Sequence, residues 1–199
     1  MKYFSIDLEM TGLDPRHHQI LEFAAIFEDT TTQLCYKELP KFERILDHEI
    51  LVGDPFALNM NSRLLKILAK LHSNELSRDE KKEYRLKHNI ISPNRLSREF
   101  VEFANRFIES NTNGKITINV AGKNFGTLDW NFLEKIDNFK NTIQMSKRLL
   151  DPAMLYFDHG DNRLPNLSTC KERAGLSKAV SHKAIDDAWD VIELIRNGT

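Results

Sequence analysis

The sequence contains little cysteine and no long apolar run. Cys35 and Cys170 are the two cysteines among 199 residues, and neither has neighbours at zinc-ligand spacing. This excludes a disulfide framework and a cysteine-based structural zinc site. No run approaches the roughly 18 apolar residues of a membrane-spanning helix. Acids at positions 7 and 9 also interrupt the amino-terminal segment before a signal-peptide core forms. We therefore expect a soluble, cytoplasmic protein without a membrane partner.

The sequence also lacks a large excess of either charge, because 28 basic and 29 acidic residues leave a formal charge of −1. That balance alone does not indicate a polyanionic partner. Between Arg63 and Arg98, however, ten basic residues stand against four acids, a local balance of +6. The segment is either a surface that contacts a phosphate backbone or a solvated helix surface, and the sequence leaves both interpretations open.

Apolar periodicity predicts a sheet covered by helices. Alternating apolar residues predict a first strand through Phe4, Ile6 and Leu8. Further strands are predicted at 20–27, 34–45, 116–120 and 149–150. Helices are predicted at 64–71, 96–108, 127–139, 166–174 and 183–196. Three antiparallel strands followed by alternating helices and strands indicate one α/β domain with a mixed sheet.

Several segments between these elements carry turn signals or no period. Residues 53–55 predict a loop or hairpin, and residues 111–114 predict the end of the helix before them. Gly175 is predicted to end the helix at 174. Residues 73–88 have almost no apolar face, so they form either an exposed helix or an ordered insertion.

Two acids lie close together on the first strand. Asp7 and Glu9 are two residues apart, so their side chains leave the same face of a strand. The simple interpretation is the wet face of an edge strand. The alternative is a site for hard divalent cations, which prefer oxygen ligands and remove the repulsion between the carboxylates.

Other candidate residues lie at the beginnings of two predicted helices. Asp129 follows a glycine-containing segment that comes directly off a strand, at the end of a sheet where ligands usually bind. His182 and Asp187 lie at the start of the last helix, and both face one site only if His182 lies on the loop or in the first turn and swings in. A cap by Ser181 permits that arrangement. Taken singly, these acids are also ordinary first-turn residues favoured by the helix dipole.

In this order, the three segments resemble the DEDDh exonucleases, the superfamily of proofreading epsilon subunits, ribonuclease T and oligoribonuclease. Asp7–Asp14 is particularly similar to oligoribonuclease, and Gly122–Leu133 and His182–Ala188 are the second and third motifs. The second motif departs from the family, which often has Gly-His-Asn where this chain has Gly-Lys-Asn, with one extra residue before Asp129. The resemblance therefore leaves DNA or RNA preference and substrate length open.

The resemblance implies a ribonuclease H-like fold, a mixed five-stranded sheet flanked by helices. It also implies a single exonuclease domain at 1–199 with a helical insertion at about 59–94. The implied activity is hydrolysis of single-stranded DNA or RNA from its 3′ end, with release of nucleoside monophosphates. A homodimer is left open, and no replication partner is identified.

The resemblance also implies roles for individual residues. Two Mg²⁺ or Mn²⁺ ions would be held by four acids, and His182 would act as the general base. The four acids are Asp7, Glu9, Asp129 and Asp187. Contacts to the substrate strand would come from Met10, Thr11, Gly12, Leu13, Asn124 and Phe125. Two other functions stay open: a catalytically inactive nucleic-acid-binding module on the same fold, and a phosphohydrolase of small nucleotides.

Overall fold

The computed structural model describes residues 1–109, 114–178 and 181–199. Its strands are β1 (Lys2–Met10), β2 (Ile20–Asp29), β3 (Lys41–Leu46), β4 (Ile90–Ile91), β5 (Ile116–Ile118), β6 (Val120–Ala121) and β7 (Ile143–Met145). Five of them form a sheet in the order β4-β3-β2-β1-β6, in which β1, β2 and β3 are antiparallel. Strands β4 and β6 run parallel to their neighbours. The predicted mixed five-stranded sheet is confirmed.

Helices pack on this sheet. They are α1 (Pro55–Met60), α2 (Ser62–His72), α3 (Arg78–Lys87), α4 (Leu96–Ala104), α5 (Asp129–Leu133), α6 (Phe139–Thr142), α7 (Ala153–Tyr156), α8 (Leu167–Arg173) and α9 (Ala184–Gly198). A short 3₁₀ turn at Pro93–Arg95 precedes α4. Among the described residues, no helix is long and apolar enough to cross a membrane.

The two faces of the sheet bury different sets of residues. Phe4, Ile6 and Leu8 belong to the larger core, where they pack with residues of α4, α5 and α6. Tyr3 alternates with them and packs with residues of α9 in a second core. Because side chains alternate along a strand, Asp7 and Glu9 lie on the α9 side. Ser5 on the same side donates to the Ala188 carbonyl at 2.7 Å, which fixes α9 to β1.

The third strand is shorter than its sequence predicts. Residues 34–40 precede β3 and include a turn in which the Cys35 carbonyl accepts the N–H groups of Glu38 and Leu39. The Glu38 carboxylate in turn accepts the Cys35 N–H at 3.1 Å. These local hydrogen bonds compete with strand pairing, so the predicted beginning of the strand is wrong.

Helix α1 was not predicted and begins at Pro55, the last residue of the segment predicted as a loop or hairpin, whereas residues 53 and 54 lie outside any helix or strand. The Asp54 side chain caps it by accepting the Phe56 N–H at 2.8 Å, and Pro55 takes the first helical position. Both are helix-start signals that also occur in turns. The exposed-helix alternative for residues 73–88 is confirmed by α3, which begins with a capping box between Ser77 and Glu80.

Later elements are more broken than predicted. The helix predicted at 127–139 divides into α5 and α6, and Thr127 does not cap it, since Leu128 is the N-cap of α5. The strand predicted at 116–120 divides between β5, which pairs with β7 apart from the main sheet, and β6. Leu150 forms an isolated bridge to Ala121. Helices α8 and α9 lie where they were predicted, but of the turn predicted at 111–114 only Gly114 belongs to the described residues.

Candidate active site

Strand β1 delivers two acids to the face that α9 covers. Asp7 pairs with Ala24 of β2, and Glu9 pairs with Glu22, so three carboxylates share this part of the sheet. A register shift follows between Glu9 and Met10. Glu9 is only 8% exposed, so this is not the wet face of an edge strand.

Asp129 lies at the edge of the sheet where β6 ends. Strand β6 runs parallel to β1, and the chain then passes through Gly122–Leu128 into α5, whose first residue is Asp129. Backbone hydrogen bonds from Leu8 and from Asp129 itself hold its carboxylate. The side chain is therefore fixed against β1, and the residue is only 4% exposed.

His182 and Asp187 come from the beginning of α9. Asp187 lies in the first turn and is 7% exposed, whereas His182 is exposed and has a left-handed backbone, with φ of 51°. The predicted cap by Ser181 is wrong, because Lys183 is the N-cap of α9 and the Ser181 hydroxyl instead accepts the Lys183 N–H at 3.2 Å. The left-handed turn places His182 on the loop before the helix, which is one of the two positions that the sequence allowed.

These residues converge. Possible ligand atoms of Glu9, His182 and Asp187 all lie within 4.8 Å of one another. Asp7 is close enough to Asp129, Asp187 and Glu9 for each of these acids to raise its pKa. The Asp187 Oδ1 atom is buried without a hydrogen-bond partner among the described residues. A buried carboxylate oxygen without a partner, on a residue that lies close to other acids, fits a site for a hard cation.

The pKa values of the four acids also favour a cation site. Burial, followed by the neighbouring acids, raises the pKa of Asp7 well above its usual range. Burial first and then Asp187 and Glu22 raise the pKa of Glu9 to about 7, and burial also raises the pKa of Asp129 to about 7. For Asp187, burial followed by Asp190 raises the pKa to about 7. Four acids that resist ionisation together form a site that a divalent cation would stabilise.

Glu22 and Arg63 belong to this site and were not singled out from the sequence. Glu22 is 2% exposed, and both its carboxylate oxygens accept from Arg63 Nη2, at 2.7 and 2.9 Å. One of these oxygens also accepts the Ala184 N–H at 3.2 Å, which ties β2 to the first residue of α9. The sequence signal for this pair was a glutamate inside the apolar run at 20–27. A glutamate in such a run is expected to be buried, and a buried acid needs a partner.

Removing the Arg63 guanidinium is expected to destabilise the fold through Glu22. Arg63→Met leaves a buried carboxylate without its cation, which we expect to cost about 1 to 3 kcal/mol, since Arg63 is partly exposed. Urea denaturation measures the loss, and Lys66→Met on the exposed side of α2 is the matched control. In a Glu22→Gln background, the Arg63→Met substitution should cost much less. An equal cost in both backgrounds would show that the ion pair is not responsible.

The turn after Glu9 is tightly organised. Thr11 is fully buried, its N–H donates to the Gln19 carbonyl, and its carbonyl accepts the Asp54 N–H. Gly12 is needed because a Cβ atom there would lie 2.3 Å from Nδ1 of His18. Leu13 is 75% exposed at the tip of the turn. Met10 is half-buried against the larger core.

The segment before Asp129 contains two candidate contact residues with opposite placements. Asn124 is exposed and left-handed, with φ of 58°, and its N–H donates to Asp151 Oδ2 at 3.0 Å. Phe125 is 1% exposed within the larger core and packs near Trp130. Its buried ring offers no surface on which a base would stack.

The fold corresponds to that of known nucleases. The nuclease domain of 3′hExo, a DEDDh family member bound to rAMP, matches with a TM-score of 0.60 at 15% identity over 98% of this chain and 89% of that chain. Exonuclease I from Methylocaldum szegediense matches with a TM-score of 0.58 at 15% identity over 98% of this chain. A zinc-bound complex of E. coli exonuclease I with single-stranded DNA matches with a TM-score of 0.57 at 15% identity over 97% of this chain.

The chain spans about 40% of the length of these exonuclease I chains. A comparison with curated proteins gave no significant match. The sequence matches the RNase_T exonuclease family over residues 4–195. The chain therefore belongs to this exonuclease family.

Proposed function

We propose that the protein is a metal-dependent 3′ to 5′ exonuclease that releases nucleoside monophosphates from single-stranded DNA or RNA. The observation that carries this proposal is the convergence of Glu9, His182 and Asp187 within 4.8 Å, beside the buried Asp7 and Asp129. Residues from both ends of the chain build this one negative pocket. Such a pocket has chemistry suited to cations and phosphodiesters.

The acids would hold two Mg²⁺ or Mn²⁺ ions. Each of the other three acids raises the pKa of Asp7, so Asp7 would help to hold both ions, with Glu9 and Asp187 completing one site and Asp129 contributing to the second. The bound ions would supply Lewis-acid stabilisation of the charge that develops on the phosphoryl oxygens. Backbone N–H donors to Asp129 and Asp187 keep these carboxylates oriented.

His182 would accept the proton of the attacking water. Its ring is exposed on a left-handed loop, beside Glu9 and Asp187, so it reaches the site while remaining accessible to solvent. Histidine has an unperturbed pKa near neutrality, which suits a general base. We expect His182→Ala to lower kcat by about 10²- to 10⁴-fold with little change in KM, measured in steady state on a labelled strand. An unchanged kcat would remove His182 from this role.

The 3′ end of the strand would lie between the turn after Glu9 and the loop at Asn124. The exposed Leu13 side chain would contact the last base, and Asn124 would contact a sugar. Next to Asn124 lies a cleft of about 640 Å³ that includes Lys123, Arg163 and Asn166. This polar cleft is placed to receive the nucleotides that precede the 3′ end.

We also treat residues 1–199 as one exonuclease domain with a helical insertion at about 59–94. The chain leaves the sheet after β3 and returns to pair with β3 again as β4. Helices α2 and α3 lie between these two strands.

The test is product analysis of matched DNA and RNA strands labelled at the 5′ end. With Mg²⁺ or Mn²⁺ we expect a descending ladder of products, and EDTA should abolish it. Strands labelled at the 3′ end should release labelled mononucleotide first. Internal cleavage, degradation from the 5′ end, or full activity in EDTA would contradict the proposal.

The same assay separates the two other functions. An inactive binding module would bind the strand without any product in either metal. A phosphohydrolase would leave the polymers intact and hydrolyse a mononucleotide ester. Four acids with oxygen atoms directed into one pocket favour the exonuclease, since a binding module has no need of them.

A further inference from the structure

A basic cleft lies on the face of the sheet opposite to the acids. It has a volume of about 850 Å³ and is formed by β3, β4, α3 and α4. In β3, Glu43 pairs with Ala24, which in turn pairs with Asp7, so Glu43 shares the face of the acids. Arg44 is the next residue and points to the other face. The cleft is therefore separate from the candidate active site.

Basic residues dominate the lining of the cleft. Six basic residues direct their charged groups to it against three acids, a local excess of three positive charges in a chain whose net charge is −1. They come from β3, from α3, and from the segment that runs from the 3₁₀ turn past the end of α4. They are Arg44, Lys82 and Arg85, and Arg95, Arg98 and Arg106. Lys41 also borders the cleft, but its ammonium lies over the Tyr36 ring on the α9 side of the sheet. Residues distant in sequence thus build one positive surface.

The acids in the cleft hold several of these cations in place. Glu99 lies 2.7 Å from both Arg44 Nε and Arg95 Nη2, and its side chain is only 12% exposed. Arg44 also stacks over the Phe42 ring at 4.3 Å. A guanidinium has five N–H donors, so an arginine fixed by one carboxylate keeps further donors for a ligand. These arginines are ordered before any ligand binds.

Other cations stand further into solvent. The Arg98 side chain is 67% exposed and lies 3.9 Å from Glu102, and the Lys82 side chain is 65% exposed. Arg106 lies over the Phe103 ring at 6.0 Å. Lys82 is also paired with Asp79 at 2.8 Å, outside the cleft. The cleft therefore combines partly buried guanidinium groups with more exposed cations. Spread-out charge of this kind suits a ligand that carries several phosphates in a row.

We propose that this cleft binds the phosphate backbone of a nucleic acid, away from the pocket in which hydrolysis takes place. The choice of ligand rests on the proposed function, whereas the cleft itself does not. According to this proposal, only some of the basic residues at 63–98 bind the nucleic acid. Arg63 is bound to Glu22 beside the acids, and Lys81 and Lys87 do not line the cleft.

Binding is measured directly by fluorescence anisotropy of the full chain with a labelled single strand of about 20 nucleotides in EDTA. The cleft variant is Lys82→Gln/Arg98→Gln/Arg106→Gln. The matched control is Arg78→Gln/Lys81→Gln/Lys87→Gln, which removes the same charge from α3 outside the cleft. We expect the cleft variant to bind at least about tenfold more weakly, and the control to stay within about twofold of wild type.

Salt dependence gives a second readout. Each lost phosphate contact reduces the slope of log K against log salt by about 0.7 for single strands, so the cleft variant should lose about 2 in slope. Circular dichroism and thermal melting establish that both variants are folded. Arg98→Lys/Arg106→Lys keeps the charge and should retain most of the affinity, which provides a variant with little risk of misfolding.

Hydrolysis assays distinguish whether the cleft binds the upstream part of the substrate strand or a separate strand. If the cleft holds the upstream part of the substrate, kcat/KM should fall for strands of about 20 nucleotides and stay unchanged for strands of about 4. If it holds a separate strand, both substrates should be hydrolysed normally while binding in EDTA still falls.

Equal weakening in the cleft variant and the control would overturn the proposal, because the effect would then come from general charge. Unchanged binding in the cleft variant would overturn it as well. Binding in EDTA needs no catalysis, so a loss of the cleft effect is distinguishable from a failure of the exonuclease function, which the product ladder tests.

Discussion

Replacing Asp187 by alanine is expected to lower the rate of strand hydrolysis by at least about a hundredfold while the domain remains folded. The carboxylate lies beside Glu9 and His182, and its Oδ1 atom has no protein partner among the described residues. Its oxygen atoms are therefore available to bind a ligand and contribute little to the stability of the core. Losing one cation-holding carboxylate removes charge stabilisation worth several kcal/mol in the transition state, where about 1.4 kcal/mol corresponds to tenfold in rate. Release of labelled mononucleotide in Mg²⁺ measures the effect.

The adjacent residue supplies a matched control. Asp186 lies in the same turn of α9, but its side chain is 40% exposed and lies 4.0 Å from Lys183 Nζ. Asp186→Ala removes the same group from the same helix and should retain at least about half of the wild-type rate, because surface substitutions have small effects. Parental activity in Asp187→Ala, or an equal loss in both variants, would contradict the assignment.

The main sheet could be predicted from the sequence because its long strands have strong local signals. Residues 20–27 of β2 are buried throughout, and the alternation of Phe4, Ile6 and Leu8 fixed which face of β1 would carry the acids. Where the signal was local but ambiguous, a helix was missed. Asp54 and Pro55 begin α1, yet the same pair of residues favours turns.

The acids of the site could be predicted from the sequence, but the residues that pair with each other beside them could not. Asp7 and Glu9 were placed by strand period, and His182 lies on the loop before α9, one of the two positions that the sequence allowed. The Glu22–Arg63 pair joins residues 41 positions apart, and no periodicity indicates such a contact. The basic cleft was missed as a unit for the same reason, since β3, α3 and α4 contribute to it separately.

Repulsion among the acids makes the metal-free protein sensitive to pH. The pKa of Glu9 rises from its ordinary 4.5 to about 7, and Asp129 and Asp187 rise from 3.8 to about 7. A carboxyl whose folded pKa is raised takes up a proton on folding between these two values. The folded state is then favoured at low pH and loses stability as pH rises from about 4 to about 7. The penalty is fully present above that window.

Metal-free wild type is therefore expected to gain stability when one of these charges is removed. At pH 8 in EDTA, Asp7→Asn should raise Tm by several degrees, since it removes a buried carboxylate whose pKa burial and the neighbouring acids raise well above its usual range. At pH 5 the two proteins should melt within about 2 °C of each other. Mg²⁺ or Mn²⁺ at pH 8 should raise Tm of the wild type and leave Asp7→Asn nearly unchanged, because an ion that binds the folded state stabilises it in proportion to its affinity. Equal stabilisation of both proteins by the metal, or a lower Tm for Asp7→Asn at pH 8, would show that the four acids do not form one cation site.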